Sequence, residues 1–322
     1  MTTDSIFKIA SMTKPITATA VMILAEEGKL SPVDPVERYL PEFRGQKMYL
    51  SREGDKVTLG PPSRVITIRD LLTHTSGMPG AARGRQRRLH EARPDAGRSG
   101  GALFASPVEL RAGFEVAVFE HGHGDARPHR RSRLRHAVRA VPRQADLRAA
   151  GHDGDASFFP PANKMARVAL STRTSTASFS PAILVGGRRA LPAPEGGLHS
   201  TSADLLRFYQ MFLNGGELDG VRIVSPSTVE TMTHNHTGDL TAGFAPGMGF
   251  GFGWTLVRNV DGTSRGNSIG TYGHGGAWRT YAFIDPVKNL IGILLFQKIG
   301  GGGDMAPEIN AFIQMTNAAL VP

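Results

Sequence analysis

The stretch Phe7-Lys8-Ile9-Ala10-Ser11-Met12-Thr13-Lys14-Pro15, with the run Ile16 to Ala25 behind it, constrains this chain more than any other part. Ile16 to Ala25 carries no charge and is apolar on nearly every face, so a helix built from it must be surrounded by other elements. Pro15 suits the first turn of that helix, where a missing N–H costs nothing, and Gly28 supplies the stop. A spacing of three on the helix puts Ser11 and Lys14 on one face, where they can touch.

A serine hydroxyl is a weak nucleophile at neutral pH and needs a neighbouring base. A lysine sunk among apolar groups loses basicity by desolvation and can be that base. The free N–H groups at the helix start suit an oxyanion formed on a substrate carbonyl. Serine, base and part of an oxyanion hole therefore share one turn. S-x-x-K also arises by chance, so a solvated helix cap with an incidental lysine is the plain alternative, and the neighbours decide between them.

Phe7 to Ala18 closely resembles the active-site serine motif of the serine β-lactamase and penicillin-binding-protein family. The likeness is nearest to the class C-like branch, which includes the carboxylesterases with a β-lactamase fold. Leu30 to Pro41 and Leu71-Leu72-Thr73-His74-Thr75-Ser76-Gly77-Met78 match the same family. His74 reads as structural, at a helix end before a turn, because the family transfers its protons elsewhere. Tyr272-Gly273-His274-Gly275-Gly276-Ala277-Trp278 stands where the family has its third motif, K-T-G, of which H-x-G and W-x-G are esterase-like variants.

The resemblance implies Ser11 as nucleophile and Lys14 as general base, with the amides of Ser11 and Ala277 as oxyanion hole. It also implies that His274, Gly275 and Gly276 line the substrate site, the glycines leaving a strand edge open. A core hairpin with a histidine at its edge is the plain reading of the same residues.

Elsewhere the pattern is architectural. Glu195 to Asp204 reads as a Gly-rich turn and a Ser/Thr N-cap; Leu205, Phe208, Tyr209, Phe212 and Leu213 follow at helical spacing, and Gly215-Gly216 ends the helix. Met248 to Trp254 begins a strand pattern that Thr255 to Val257 continues, Thr280 to Asp285 and Leu290 to Phe296 form a hairpin, and Met305 to Leu320 reads as a helix. The fold class expected is α/β (α+β): an antiparallel sheet flanked by helices with a helical subdomain, β-lactamase/transpeptidase-like. Only ten residues precede Ser11, where family members place several dozen, so the chain reads as N-terminally truncated.

Charge isolates one segment. Residues 81 to 150 hold 15 arginines, no lysine and 7 acids, a net of +8, out of +9 for all 322 residues. The domain reading is accordingly 1–80 and 155–322 as a β-lactamase-like domain, with 81–154 as an Arg-rich aberrant or inserted segment in place of the helical subdomain. An arginine-rich nucleic-acid arm, a disordered insertion and a stretch translated in a shifted frame of a GC-rich gene compete for it. The third is favoured, because arginine without lysine is what out-of-frame GC-rich codons give. The basic run Arg127 to Arg148 lacks the interleaved aromatics of nucleic-acid binders, so no nucleic-acid partner is expected.

The family's Y-x-N motif, whose tyrosine is thought to relay a proton to the leaving group, should fall inside that segment. No tyrosine occurs between Tyr49 and Tyr209, and His121 and His123 fall near its place. There is no cysteine, hence no disulfide framework. No apolar run reaches membrane-spanning length and no signal peptide opens the chain, so a cytoplasmic location with no membrane partner is expected. The reading is a serine hydrolase acting through an acyl-enzyme on small ester or β-lactam substrates, with no metal or organic cofactor implied. Because H-x-G lacks the lysine that pairs with a penicillin's carboxylate, it leans towards a carboxylesterase. A catalytically impaired remnant is the alternative. Oligomeric state is left open.

Overall fold

The computed structural model describes residues 1–54, 56–78, 157–158, 160–173, 179–181, 194–240, 246–259, 265–299 and 306–320. The Arg-rich segment 81–154, with the site expected for Y-x-N and the histidines His121 and His123, lies outside the described residues.

In chain order the strands are β1 (Phe7–Lys8), β2 (Met48–Glu53), β3 (Lys56–Gly60), β4 (Leu170–Arg173), β5 (Phe179–Pro181), β6 (His199–Ser200), β7 (Glu217–Leu218), β8 (Val221–Arg222), β9 (Met248–Phe250), β10 (Thr255–Val257), β11 (Tyr272–Gly275), β12 (Tyr281–Asp285), β13 (Leu290–Leu294) and β14 (Lys298–Ile299). The helices are α1 (Thr13–Glu26), α2 (Ile68–Leu72), α3 (Ser202–Leu213), α4 (Pro226–Thr233) and α5 (Pro307–Ala318). The main sheet is an antiparallel meander of five strands in the order β13-β12-β11-β10-β9.

α1 is the buried helix that its composition demands: 11 of its 14 residues are buried, Lys14 among them. Its C-terminus closes as a Schellman motif, with Gly28 at φ +66° and the Lys29 amide donating to the Leu24 carbonyl at 2.9 Å. Trp254, with no solvent exposure, is ringed by Phe208, Tyr209 and Phe212 of α3 and by Tyr272 of β11. That aromatic cluster belongs to the core that α1 enters.

The sheet is covered on both faces, and β12 shows how. Its residues alternate: Ala282 and Ile284 join the main core with α1 and α3, while Tyr281 and Phe283 pack with Ile309 and Ile313 of α5. Phe283 pairs across the sheet with Gly273 on one side and Gly292 on the other. A Cβ on Gly292 would lie 2.3 Å from the Phe283 ring, so this glycine makes the room that the ring fills.

One expectation needs correction. Met248 to Val257 is two strands, β9 and β10, folded back on each other at 251–254. Gly253 turns the chain at φ +77°, and a Cβ there would come within 2.8 Å of the Ala18 Cβ and 3.0 Å of the Lys14 carbonyl. The Gly-x-Gly spacing thus marks a tight turn pressed on α1, where a strand-like alternation of residues suggested continuity. Among the described residues no helix is long and apolar enough to cross a membrane.

Candidate active site

Ser11 does not start α1. It lies in the 3₁₀ turn Ala10–Met12 that precedes it, and Ala10 enters that turn at φ +48°. A non-glycine residue at positive φ is held there by its surroundings. The Thr13 hydroxyl donates to the Ala10 carbonyl at 2.6 Å and itself accepts the Leu198 amide at 3.2 Å. β1 fixes the approach, pairing Phe7 with Ser200 and Lys8 with His199. Its other side is tied by the Gln297 side chain, which accepts the Lys8 amide at 3.3 Å and donates to the Lys8 carbonyl at 3.0 Å.

Lys14, one turn further on, is 1% exposed. Its Nζ donates to the Ser11 Oγ at 2.8 Å and to the Glu195 carbonyl at 2.8 Å. The preceding carbonyl, Pro194, accepts the Thr17 hydroxyl at 2.7 Å. The 194–198 segment therefore runs along the first turns of α1, and a main-chain oxygen holds the lysine against the serine. Ser11 itself is partly exposed, so the pair combines a buried amine with an accessible hydroxyl.

The third group of expected site residues meets this turn directly. Gly276 follows β11, and a Cβ on it would lie 2.1 Å from the Thr280 Oγ1, 2.4 Å from the Ile9 carbonyl oxygen and 3.2 Å from the Ala10 Cβ. Only a glycine admits so close an approach. Ala277, next in the chain, is exposed. The segments bearing Ser11, Lys14, Gly276 and Ala277 are thus brought together.

His274 of β11 is buried, and its Nδ1 lies 2.7 Å from the Gly275 carbonyl oxygen. A carbonyl only accepts, so Nδ1 carries the proton of the neutral ring and Nε2 is left as an acceptor. Burial, and then the nearby Lys14 ammonium, push this imidazole down to about 3.

His74 occupies a place that sequence reasoning did not foresee. It sits at φ +58° just past α2, with its ring edge-on to Phe250 at 4.8 Å; Phe250 in turn meets His274 edge-on at 6.1 Å. Burial first, and Lys14 second, push His74 down to about 3, so the lysine acts on both imidazoles. The turn is set by the capping box at the start of α2, Thr67 with Asp70, by the Thr75 amide donating to the Asp70 carbonyl at 2.9 Å, and by the Arg64 guanidinium on the Asp70 carboxylate. Its signal in the sequence is the T-x-x-D box before the histidine. Among the described residues no set of three His, Asp or Glu converges as metal ligands would.

These histidines carry a stability prediction. His199, 4% exposed, is held at about 4, mainly by burial, as His274 is held at about 3. Unfolded, each titrates near 6.5. With the folded pKa depressed, the unfolded chain binds the extra protons, so the stabilisation is complete above about pH 6.5 and is lost as pH falls towards 3–4. At pH 5 the expected loss is about 2 kcal/mol per histidine relative to pH 7, read as the urea midpoint across that range. His199→Gln should flatten the slope; a wild-type midpoint unchanged between pH 7 and pH 5 would contradict the assignment.

Comparison with known proteins follows the same lines. The family model described as Beta-lactamase matches residues 1–96 and 152–311. Protein Rv1367c of Mycobacterium tuberculosis is 33% identical over 321 residues, which cover 92% of this chain and 78% of that one. EstCE1, a hydrolase with promiscuous acyltransferase activity, superposes with a TM-score of 0.63 at 19% identity, over 98% of this chain and 86% of its own. The class C beta lactamase from Rhodobacter sphaeroides superposes with a TM-score of 0.63 at 16% identity, over 98% of this chain and 85% of its own. At these identities the two structures share the fold.

Proposed function

Because this chain belongs to the β-lactamase family, we propose that it is a serine hydrolase that forms an acyl-enzyme on Ser11, with small esters as its substrates. The observation that carries the reading is the buried Lys14 Nζ donating to the Ser11 Oγ at 2.8 Å. In its neutral form the lysine accepts the hydroxyl proton as Oγ bonds to the substrate carbonyl carbon. The electron pair displaced onto the carbonyl oxygen is held by the Ser11 and Ala277 amides. Collapse breaks the bond to the leaving alkoxide, which takes the proton from Lys14. Water then repeats the sequence to release the acid.

The preference for esters rests on His274. A neutral imidazole offers no cation to the carboxylate of a penicillin or a peptide, whereas an ester without that carboxylate loses nothing. EstCE1, described as a hydrolase, is consistent with the same chemistry. A second reading, an impaired remnant, is favoured by the tyrosines: none lies between Tyr49 and Tyr209, and Tyr209, Tyr272 and Tyr281 are buried in the cores.

Turnover of p-nitrophenyl butyrate and of a chromogenic cephalosporin by the same preparation separates these readings. The ester is expected to have at least about tenfold the kcat/KM of the cephalosporin. The reverse order would make the protein a β-lactamase, and blank rates from folded protein would leave the remnant.

A further inference from the structure

The two amides assigned to the oxyanion lie on segments far apart in sequence: the Ala10–Met12 turn, and the turn running from Gly276 to Thr280. Among the described residues no strand ladder joins them. β1 pairs with β6, and β11 pairs with β10 and β12. A side-chain hydrogen bond crosses between them. Thr280, with no solvent exposure, donates its hydroxyl to the Ile9 carbonyl at 3.0 Å.

The same residue closes its own turn. Its carbonyl accepts the Gly276 amide at 2.7 Å, and the Arg279 amide donates to the Gly276 carbonyl at 2.9 Å. Arg279, at φ +63° and 8% exposed, forms an ion pair with Glu308 of α5, which also accepts Lys298 at 3.1 Å. The turn is thus anchored to the helix behind it, and its forward edge meets the serine turn through the Thr280 hydroxyl and the bare Cα of Gly276.

We propose that Thr280 is a positioning residue for acyl transfer, its hydroxyl fixing the separation of the Ser11 and Ala277 amides through the Ile9 carbonyl. This rests on the acyl-enzyme reading above. An oxyanion forms only on the way to the tetrahedral intermediate, so amides set wrongly weaken the transition state and leave the bound ester unaffected. Loss of the hydroxyl therefore acts on kcat, which a general loss of stability does not single out.

The test compares wild type, Thr280→Val and Thr280→Ser on p-nitrophenyl butyrate, with phenylboronic acid as a probe that bonds the serine oxygen and mimics the tetrahedral state. Thr280→Val is expected to lower kcat by about 10- to 100-fold with KM within about threefold, and to weaken the boronate by a similar factor. Thr280→Ser, which keeps the hydroxyl, should stay within about threefold of wild type in all three. Should the valine variant not fold, Thr280→Ala removes the same hydroxyl and carries the same expectation. Ser11-dependent turnover with kcat and boronate affinity unaltered in folded Thr280→Val or Thr280→Ala would overturn the positioning role alone. Wild-type protein without Ser11-dependent turnover would overturn the acyl-enzyme reading and the positioning role with it.

Discussion

Ser11→Ala is expected to lower hydrolysis of p-nitrophenyl butyrate by about 10³-fold or more, to near the rate of buffer. The expected size follows from what the residue supplies. Ser11 carries the hydroxyl that accepts from the Lys14 Nζ at 2.8 Å, and alanine has no oxygen to form the acyl-enzyme. The backbone is unaffected by the change, because the Ala10–Met12 turn is set by β1, by the Thr13 hydroxyl and by Thr280, none of which uses the Ser11 side chain. Lys14 keeps the Glu195 carbonyl at 2.8 Å. The variant should therefore fold with an unchanged thermal midpoint, and an equally active variant would remove Ser11 from the mechanism.

Gly276→Ala should be nearly as damaging, for a steric reason. The added Cβ would stand 2.1 Å from the Thr280 Oγ1 and 2.4 Å from the Ile9 carbonyl oxygen. It displaces the pair of atoms that joins the two turns, so the Ala277 amide is pushed away from Ser11. Overpacking a buried site of this kind costs about 1–3 kcal/mol, and a misplacement near 1 Å in a reacting geometry costs about 10²-fold in rate. The expectation is a lowered thermal midpoint together with a kcat reduced by about 10²-fold. Gly196→Ala is the control. It lies near the same turn, but its Cβ would sit 3.5 Å from the Ala10 carbonyl carbon, an ordinary contact. A Gly276→Ala variant as active and stable as Gly196→Ala would show that the close approach is unimportant.

What the residues declared in advance and what they hid divides along sequence distance. The buried helix was plain from Ile16 to Ala25, because an uncharged run at every helical angle has nowhere else to go. The helix ending at Gly215-Gly216 and the 281–294 hairpin were plain too, since caps and period-2 alternation are local. The turn at 251–254 was not. Gly253 has its reason in Lys14 and Ala18, more than two hundred positions away, and nothing nearby distinguishes a glycine in a turn from one in a strand.

The candidate site divides in the same way. A serine and a lysine three apart are a local signal. The Glu195 and Pro194 carbonyls that hold α1's first turns are main-chain atoms, which no residue type announces. His74 looked like the end of a helix, and it is one; that Phe250 and Lys14 stand beside it depends on how α2 and the β9–β10 turn meet, with the Gly253 amide donating to the Leu72 carbonyl at 3.0 Å. Thr280 gave no signal, because its partner is the Ile9 carbonyl at the other end of the chain.

The central claim is that Ser11 becomes acylated, and the intact mass of the protein after reaction with a fluorophosphonate tests it most directly. One phosphonyl adduct per chain is expected, located by peptide mapping on Ser11 and missing from Ser11→Ala. A folded wild-type protein that takes no adduct, or takes it equally in Ser11→Ala, would contradict it.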